Sequence, residues 1–242
     1  MAPKSGYRRG YAVAIIIGLA ESSAGLWQVY SKVVKPLATL RLEGDRNNAK
    51  AVYNFHEAII NALRPTLSHG VRSVILASPT RTTYSQDFGD HVRRHHAWLS
   101  QGSNKVAFVE MTGAAATRSD VYVLTKNPLF SKLIQDATAE ETENLIDLLE
   151  SRINDSSGSY DVLYSLDDVE KLILYQQKSE VMPEFLFLTN EFLSASRQKG
   201  RLNRLMQVAA NRKVRTRVVD AETPAGKRLS QLGGIVCIAK TA

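Results

Sequence analysis
The sequence holds one cysteine, Cys237, in 242 residues. That excludes an internal disulfide framework, and the thiol sits in the apolar run 235–238, as an inert buried side chain of an intracellular, cytoplasmic protein would. Long hydrophobic runs are missing too. The best candidate, residues 11–19, is too short to span a bilayer and lacks a small-residue cleavage site, so it reads as a strand and no membrane contact is expected. No Gly-x-x-x-x-Gly-Lys-Ser/Thr occurs, which removes a P-loop. His56-Glu57 is followed by Ala-Ile-Ile-Asn, so no His-Glu-x-x-His zinc motif exists either. The two tryptophans, Trp27 and Trp98, read as core residues rather than stacking platforms. Repeats, low-complexity tracts and heptads are absent.

What is present is charge, and it is segregated. The net charge of +7 divides into +8 over residues 1–126, −10 over residues 127–191 and +9 over residues 192–242. A basic–acidic–basic arrangement points to a polyanionic partner such as a nucleic acid or the ribosome. The competing reading is three ordinary solvated surfaces.

Hydrophobic periodicity then orders the chain. Residues 1–10 read as a flexible basic arm. Strands are expected over 11–17, 26–34 and 37–42, a meander. The polar loop Glu43-Gly-Asp-Arg-Asn-Asn-Ala-Lys50 follows, feeding a helix over 49–63 whose Val52, Phe55, Ile59, Ile60 and Leu63 share a face. Pro65 ends or kinks that helix. A strand over 71–77, a polar helix over 83–99, a strand over 106–111 and a helix over 118–124 complete an α/β domain with a mixed sheet, residues 11–126. The remainder, 127–242, opens with acidic helices over 129–137 and 140–153. It continues with a turn at 154–159, a helix from Ser165 to about 175, a strand over 185–188, a basic helix over 197–211 and a strand over 216–219. Its close is the most legible stretch. Thr223 can cap a helix that has Pro224 at its first position, Gly233-Gly234 stops that helix, and Ile235, Val236, Cys237 and Ile238 form a strand buried on both faces. The element order implies a small α/β/α sandwich.

Candidate chemistry is thin. Asp87, His91 and His95 are spaced i, i+4, i+8 with His96 adjacent, a pattern that can hold zinc. With no cysteine nearby, an exposed polar helix is the better reading, and no metal or other cofactor is assigned. Glu43 and Asp45 suggest a two-carboxylate nuclease only weakly, since both lie in a short loop beside Arg46. Ser156-Ser157-Gly158 is turn chemistry, and no catalytic residue is assigned. The stronger signal is the basic set Arg197, Lys199, Arg201, Arg204, Arg212, Lys213, Arg215 and Arg217, with no acidic residue from 193 to 218. Arg197, Arg201 and Arg204 are spaced to share a helix face, and planar guanidinium groups suit phosphates. Pairing with the acidic helices at 140–150 is the alternative. A second contact is assigned to Arg46, Lys50 and the Arg8-Arg9 arm.

Two stretches carry a family resemblance: Gly70-Val-Arg-Ser-Val-Ile-Leu-Ala-Ser-Pro79 and Gln231-Leu-Gly-Gly-Ile-Val-Cys-Ile238. They resemble the middle and C-terminal domains of the archaeal and eukaryotic class I peptide-chain release factors and their relative Pelota. The resemblance implies a ribonuclease-H-like first domain and a second domain like the small kink-turn-binding ribosomal proteins. The family's N-terminal domain, which reads the decoding centre, has no counterpart in these residues. Where release factors carry Gly-Gly-Gln, this chain has Gly44-Asp-Arg-Asn-Asn-Ala-Lys50, without the glutamine, and Asn47 and Asn48 join the candidate ribosome contacts. The resemblance implies a non-enzymatic translation factor of archaeal type that binds the ribosome or a subunit through rRNA and ribosomal proteins. Rescue and recycling with a recycling ATPase or GTPase partner is one use. Hibernation of idle ribosomes or subunits is the other, and homodimerisation is left open. The alternative is an RNA nuclease or peptidyl-tRNA hydrolase working from the 43–50 loop.

Overall fold
The computed structural model describes residues 11–31, 33–101, 105–175 and 181–241, without the side chains of residues 133, 136, 137, 139 and 140. The basic arm assigned to residues 1–10 lies outside them. Two compact units divide the chain, one comprising Met1–Leu67 with Val71–Glu141 and the other Ser68–Gly70 with Thr142–Ala242.

The first unit contains β1 (Ala12–Leu19), β2 (Ser23–Tyr30), β3 (Val34–Arg41), α1 (Ala49–Ser68), β4 (Ser73–Ser78), α2 (Tyr84–His95), α3 (Ala97–Ser100), β5 (Ala107–Thr112), α4 (Arg118–Thr125) and the start of α5 (Pro128–Ile153). Its sheet has the order β3-β2-β1-β4-β5, antiparallel across β1, β2 and β3 and parallel across β1, β4 and β5. The apolar run of β1 places it at the centre, because both of its faces must be covered. Alternation divides the work. Ile15, Ile17 and Leu19 pack with Phe55, Ile59 and Leu63 of α1 and with Phe88 of α2. Ala14 and Ile16 face the other way, against Ala115, Val121 and Phe130.

On that second face the backbone comes very close. A Cβ on Gly18 would lie 2.0 Å from the carbonyl carbon of Ala115, so only glycine fits. The same Ala115 carbonyl accepts a hydrogen bond of 2.8 Å from Trp27 Nε1, which makes Trp27 a core residue as expected, whereas Trp98, expected in the core too, is 44% exposed with Arg64 over its ring.

The second unit takes the rest of α5, then β6 (Tyr160–Leu163), α6 (Leu166–Glu170) running into a π-helical turn (Lys171–Tyr175), β7 (Val181–Thr189), α7 (Asn190–Ala195), α8 (Lys199–Asn211), β8 (Arg215–Val219), α9 (Pro224–Gln231) and β9 (Ile235–Thr241). The sheet order is β6-β9-β7-β8, with β7 and β8 parallel and β9 antiparallel to both of its neighbours. Ile235 and Cys237 point towards α8 residues Leu202 and Leu205, while Val236 and Ile238 pack with Leu145 and Leu149 of α5 and Leu229 of α9. Thr223 Oγ1 caps α9 by accepting from the Gly226 N–H at 3.0 Å. Gly234, at φ +79°, ends it by donating its N–H to the Leu229 carbonyl at 2.9 Å. Both units are therefore mixed α/β structures with helices on each sheet face.

Several element boundaries depart from expectation. Helix α5 is continuous where two helices were expected, and the division into units falls inside it rather than near Lys126. Helix α1 runs through Pro65 to Ser68. The helix expected over 83–99 breaks at His96, whose N–H still bonds the Val92 carbonyl. Strand β6 and helix α7 were not foreseen, because Tyr160-Asp-Val-Leu163 is too short and polar to show a strand pattern alone. It becomes a strand by pairing with β9.

Gly18→Ala should destabilise the first unit by at least the ~1–3 kcal/mol of an overpacked core. Urea unfolding measures this, and a midpoint equal to that of the unaltered chain would refute the close approach of β1 to Ala115.

Candidate functional site
The 43–50 loop is a small pinned turn. Asp45 Oδ1 accepts the Asn47 N–H at 2.9 Å, and the Asp45 carbonyl accepts the Asn48 N–H at 3.0 Å. Asn48 Oδ1 accepts the N–H groups of Lys50 and Ala51, at 3.0 and 3.2 Å, and so caps the start of α1. Arg46 reaches back to the β1–β2 turn, where Nε donates to the Glu21 carbonyl at 2.7 Å and Nη2 to the Ala20 carbonyl at 2.5 Å. Its guanidinium also stacks 3.7 Å from the ring centre of Tyr84. Burial lowers the Arg46 pKa against the opposing pull of Tyr84, Asp87 and Glu21, but the group stays a cation. Arg46 and Asn48, assigned from sequence as ribosome contacts, thus hold the loop's own shape. Asn47 and Lys50 remain exposed, with no side-chain bond among the described residues.

Beneath this turn lies a pocket of about 380 Å³, lined among others by Arg46, Asn47, Tyr53, His56, Asp87 and His91. Its inner wall is a histidine cluster that sequence reasoning placed wrongly. Asp87 and His95 border the pocket but are exposed, Asp87 accepting from Thr83 Oγ1 at 2.8 Å, and among the described residues the ligand atoms that gather with His91 are those of Glu57 and His96. His91 and His96 instead are buried, at 7% and 6% exposure, and not on an exposed polar helix. Both direct Nε2 at one oxygen, Oε1 of Glu57 on α1, at 3.0 and 2.7 Å. The break at His96 is what lets residues five apart reach the same carboxylate.

The electrostatics are those of a half-dry site. Burial pushes the Glu57 pKa up, but the hydrogen bonds with His96 and His91 outweigh it and hold the carboxylate below its usual range. Burial lowers the His91 pKa despite Glu57, which opposes the shift. His56, edge-on to Phe88 and 5.0 Å from the His91 ring, is lowered by burial, then by His91 and Arg46, to about 4. Its Nε2 is buried without a hydrogen-bond partner. The sequence signal was present in His56-Glu57, but the partner histidines come from a different helix.

The basic set of the second unit divides in two. Arg201 donates to Glu170 Oε2 at 2.7 Å and Gln198 Oε1 at 2.8 Å, and also pairs with Asp167. Those carboxylates, Glu170 first, raise its pKa. Arg212 donates to the carbonyls of Ile173 and Leu172 in the π-helical turn, at 2.7 and 3.2 Å. Arg215 pairs with Glu184 at 3.2 Å, and Arg217 is buried at 4% exposure. The alternative, pairing with the acidic helix, is met outside that set, by Arg228 with Glu150 at 2.6 Å. Arg197, Lys199, Arg204 and Lys213 are exposed and make no ion pair among the described residues. Arg197 precedes the Gln198 cap of α8, so the expected Arg197–Arg201–Arg204 face is reduced to Arg204 on the helix and Arg197 beside it. Arg8 and Arg9 lie outside the described residues.

No family model matches the chain, and no curated protein matches it. Solved structures do. Saccharomyces cerevisiae Dom34, described as a translation termination-like factor involved in RNA quality control that interacts with Hbs1, superposes with a TM-score of 0.52 at 20% identity, over 94% of this chain and 62% of its own. Archaeal Pelota, from a ribosome-bound model with ABCE1, gives a TM-score of 0.54 at 19% identity, over 93% of this chain and 61% of its own. The chain spans about three fifths of the length of these structures.

The His56 site sets a pH dependence. An unfolded histidine takes up its proton near pH 6.5, while folded His56 resists it to about 4, so stability should fall as pH drops through that window. The loss assignable to His56 approaches ~3 kcal/mol, at ~1.4 kcal/mol per pKa unit. Urea unfolding at pH 7.5 and 4.5 should therefore lose less stability in His56→Phe than in the unaltered chain, and equal losses would remove His56 from the account. Two mixed α/β units of this topology, superposing on both neighbours across nearly the whole chain, give it the fold shared by Dom34 and Pelota.

Proposed function
We propose that the chain is a ribosome-binding translation factor that does not itself hydrolyse peptidyl-tRNA. The likeness that carries this reading extends over both units, to a translation termination-like factor and to a ribosome-bound Pelota. Charge supports it. After internal pairing is subtracted, Arg197, Lys199, Arg204 and Lys213 remain on the surface of the second unit, and Lys50 on the turn of the first. Cations without a carboxylate partner are the ones that neutralise phosphates and release counterions.

The turn argues against release chemistry. A loop that enters a catalytic centre to position water needs free backbone and a donor side chain. Here Asn48 Oδ1 is used as a helix cap, Asp45 Oδ1 as a turn acceptor and Arg46 on two carbonyls, so the backbone of the turn is pinned although the Asn47 amide stays exposed. The same commitments weaken a nuclease or hydrolase centred on residues 43–50. Rescue with a recycling ATPase or GTPase partner and hibernation of idle ribosomes or subunits both follow from a binding role, and they differ in the particle engaged.

Sucrose-gradient sedimentation with ribosomes at low and moderate salt tests the reading. The chain should co-migrate with a ribosomal peak. Arg204→Glu with Lys213→Glu should reduce the bound fraction and flatten its salt dependence by about two units of log–log slope, one per lost phosphate contact. Peptidyl-tRNA should survive intact. Migration of the unaltered chain only at the top of the gradient at low salt would overturn the proposal. Co-migration with a dimer peak of ribosomes or subunits would favour hibernation over rescue.

A further inference from the structure
We infer that Glu57, His91 and His96 form a binding site for a divalent transition-metal cation of the zinc class, which ties α1 to the α2–α3 junction beneath the 45–50 turn. The inference does not depend on the ribosome reading. One ligand atom from each of these three residues lies within 4.8 Å of the other two. Two imidazole nitrogens converge on one carboxylate oxygen at 3.0 and 2.7 Å. Tetrahedral zinc, with bonds of about 2.0–2.2 Å to nitrogen and oxygen, separates its ligands by about 3.3 Å, so the group needs only small adjustments to close around an ion. Two histidines and one carboxylate are a recurrent zinc set that leaves a fourth position for water.

The surroundings point to a cation independently of that convergence. His56, on the same turn of α1 as Glu57, is 2% exposed, and its Nε2 has no hydrogen-bond partner. A buried polar atom left without a partner, in a ring centred 5.0 Å from that of His91, indicates a group beside the cluster that the protein atoms alone do not supply. The ligands are also prepared chemically. Burial lowers His91, which favours the neutral imidazole that metals require, and Glu57 is held ionised by its two histidines. Each imidazole offers its Nε2 lone pair to the ion once its remaining proton sits on Nδ1. Only His91 of the three also lines the 380 Å³ pocket, which gives the ion a way in from the loop side.

A bound ion would couple the loop to the fold. Asn48 caps α1 two turns before Glu57, and Arg46 reaches the β1–β2 turn, so fixing Glu57 against α2 fixes the base on which the turn stands. Carboxylate and imidazole donors suit zinc, cobalt and nickel better than magnesium or calcium, which prefer all-oxygen sites.

The experiment uses the untagged full chain, cleared of metal with a chelator and titrated with Zn(II) against a chromophoric competitor. Co(II) serves as a spectroscopic probe. One equivalent should bind, Co(II) should show the intense visible bands of a low-coordinate site, and Zn(II) should raise the unfolding temperature. Glu57→Gln and His96→Asn should each weaken binding by more than about 100-fold, beyond the loss typical of outer-shell partners. His69→Asn, outside the cluster, should bind as the unaltered chain does. Circular dichroism confirms that each variant is folded, and Glu57→Gln preserves shape if His96→Asn does not fold. Failure of the folded unaltered chain to take up Zn(II) or Co(II) at micromolar concentration would overturn the inference. Full-strength binding in folded Glu57→Gln would overturn it equally.

Discussion
A strand buried on both faces constrains everything around it. β1 and β9 each present apolar side chains to two sides, and neither side can be left to water without giving up roughly 25 cal/mol for every Å² exposed. Each sheet therefore needs helices above and below, and each helix must direct its own apolar stripe inward. In the first unit this requirement brings Ala115 so close to β1 that position 18 admits only glycine. In the second it sets α8 on one face of β9 and α5 with α9 on the other. The polar chemistry of both units is arranged on what those layers leave uncovered.

Charge has to be read after packing for the same reason. From sequence the basic residues of the second unit form one set. In the structure they serve two purposes. Arg201, Arg212 and Arg215 satisfy carboxylates and main-chain carbonyls of neighbouring elements, and Arg217 is buried, so they contribute to integrity. Arg197, Lys199, Arg204 and Lys213 stay exposed, without an ion pair among the described residues. Arg46 repeats the division in the first unit, where a cation beside the family's functional loop position proves to be the clamp that shapes the loop. The positive charge open to solvent is thus the remainder of the charge, not its sum.

What was legible in the sequence follows from the range of the forces involved. The helix, glycine turn and strand at the end of the chain are written in contiguous residues, from Thr223 through Gly234 to Ile238, and the structure has each cap where the local rules put it. Face-sharing along α1 was equally plain, because Phe55, Ile59 and Leu63 repeat at helical spacing. Strand β6 was hidden, since its four residues acquire a strand conformation only from β9, some 75 positions away. The histidine site was hidden for a related reason. Spacing within one helix suggested Asp87, His91 and His95, whereas the carboxylate that gathers His91 and His96 comes from Glu57 on another helix. Local spacing cannot display a site built by tertiary contact.

The most direct measurement of the central claim is a cryo-electron microscopy map of the chain on purified ribosomal particles. The account expects Arg204 and Lys213 within reach of rRNA phosphates, with the 45–50 turn still clamped by Arg46 to the carbonyls of Ala20 and Glu21. A bound chain that turned this surface to solvent, or whose turn had opened and entered the peptidyl-transferase centre, would contradict it.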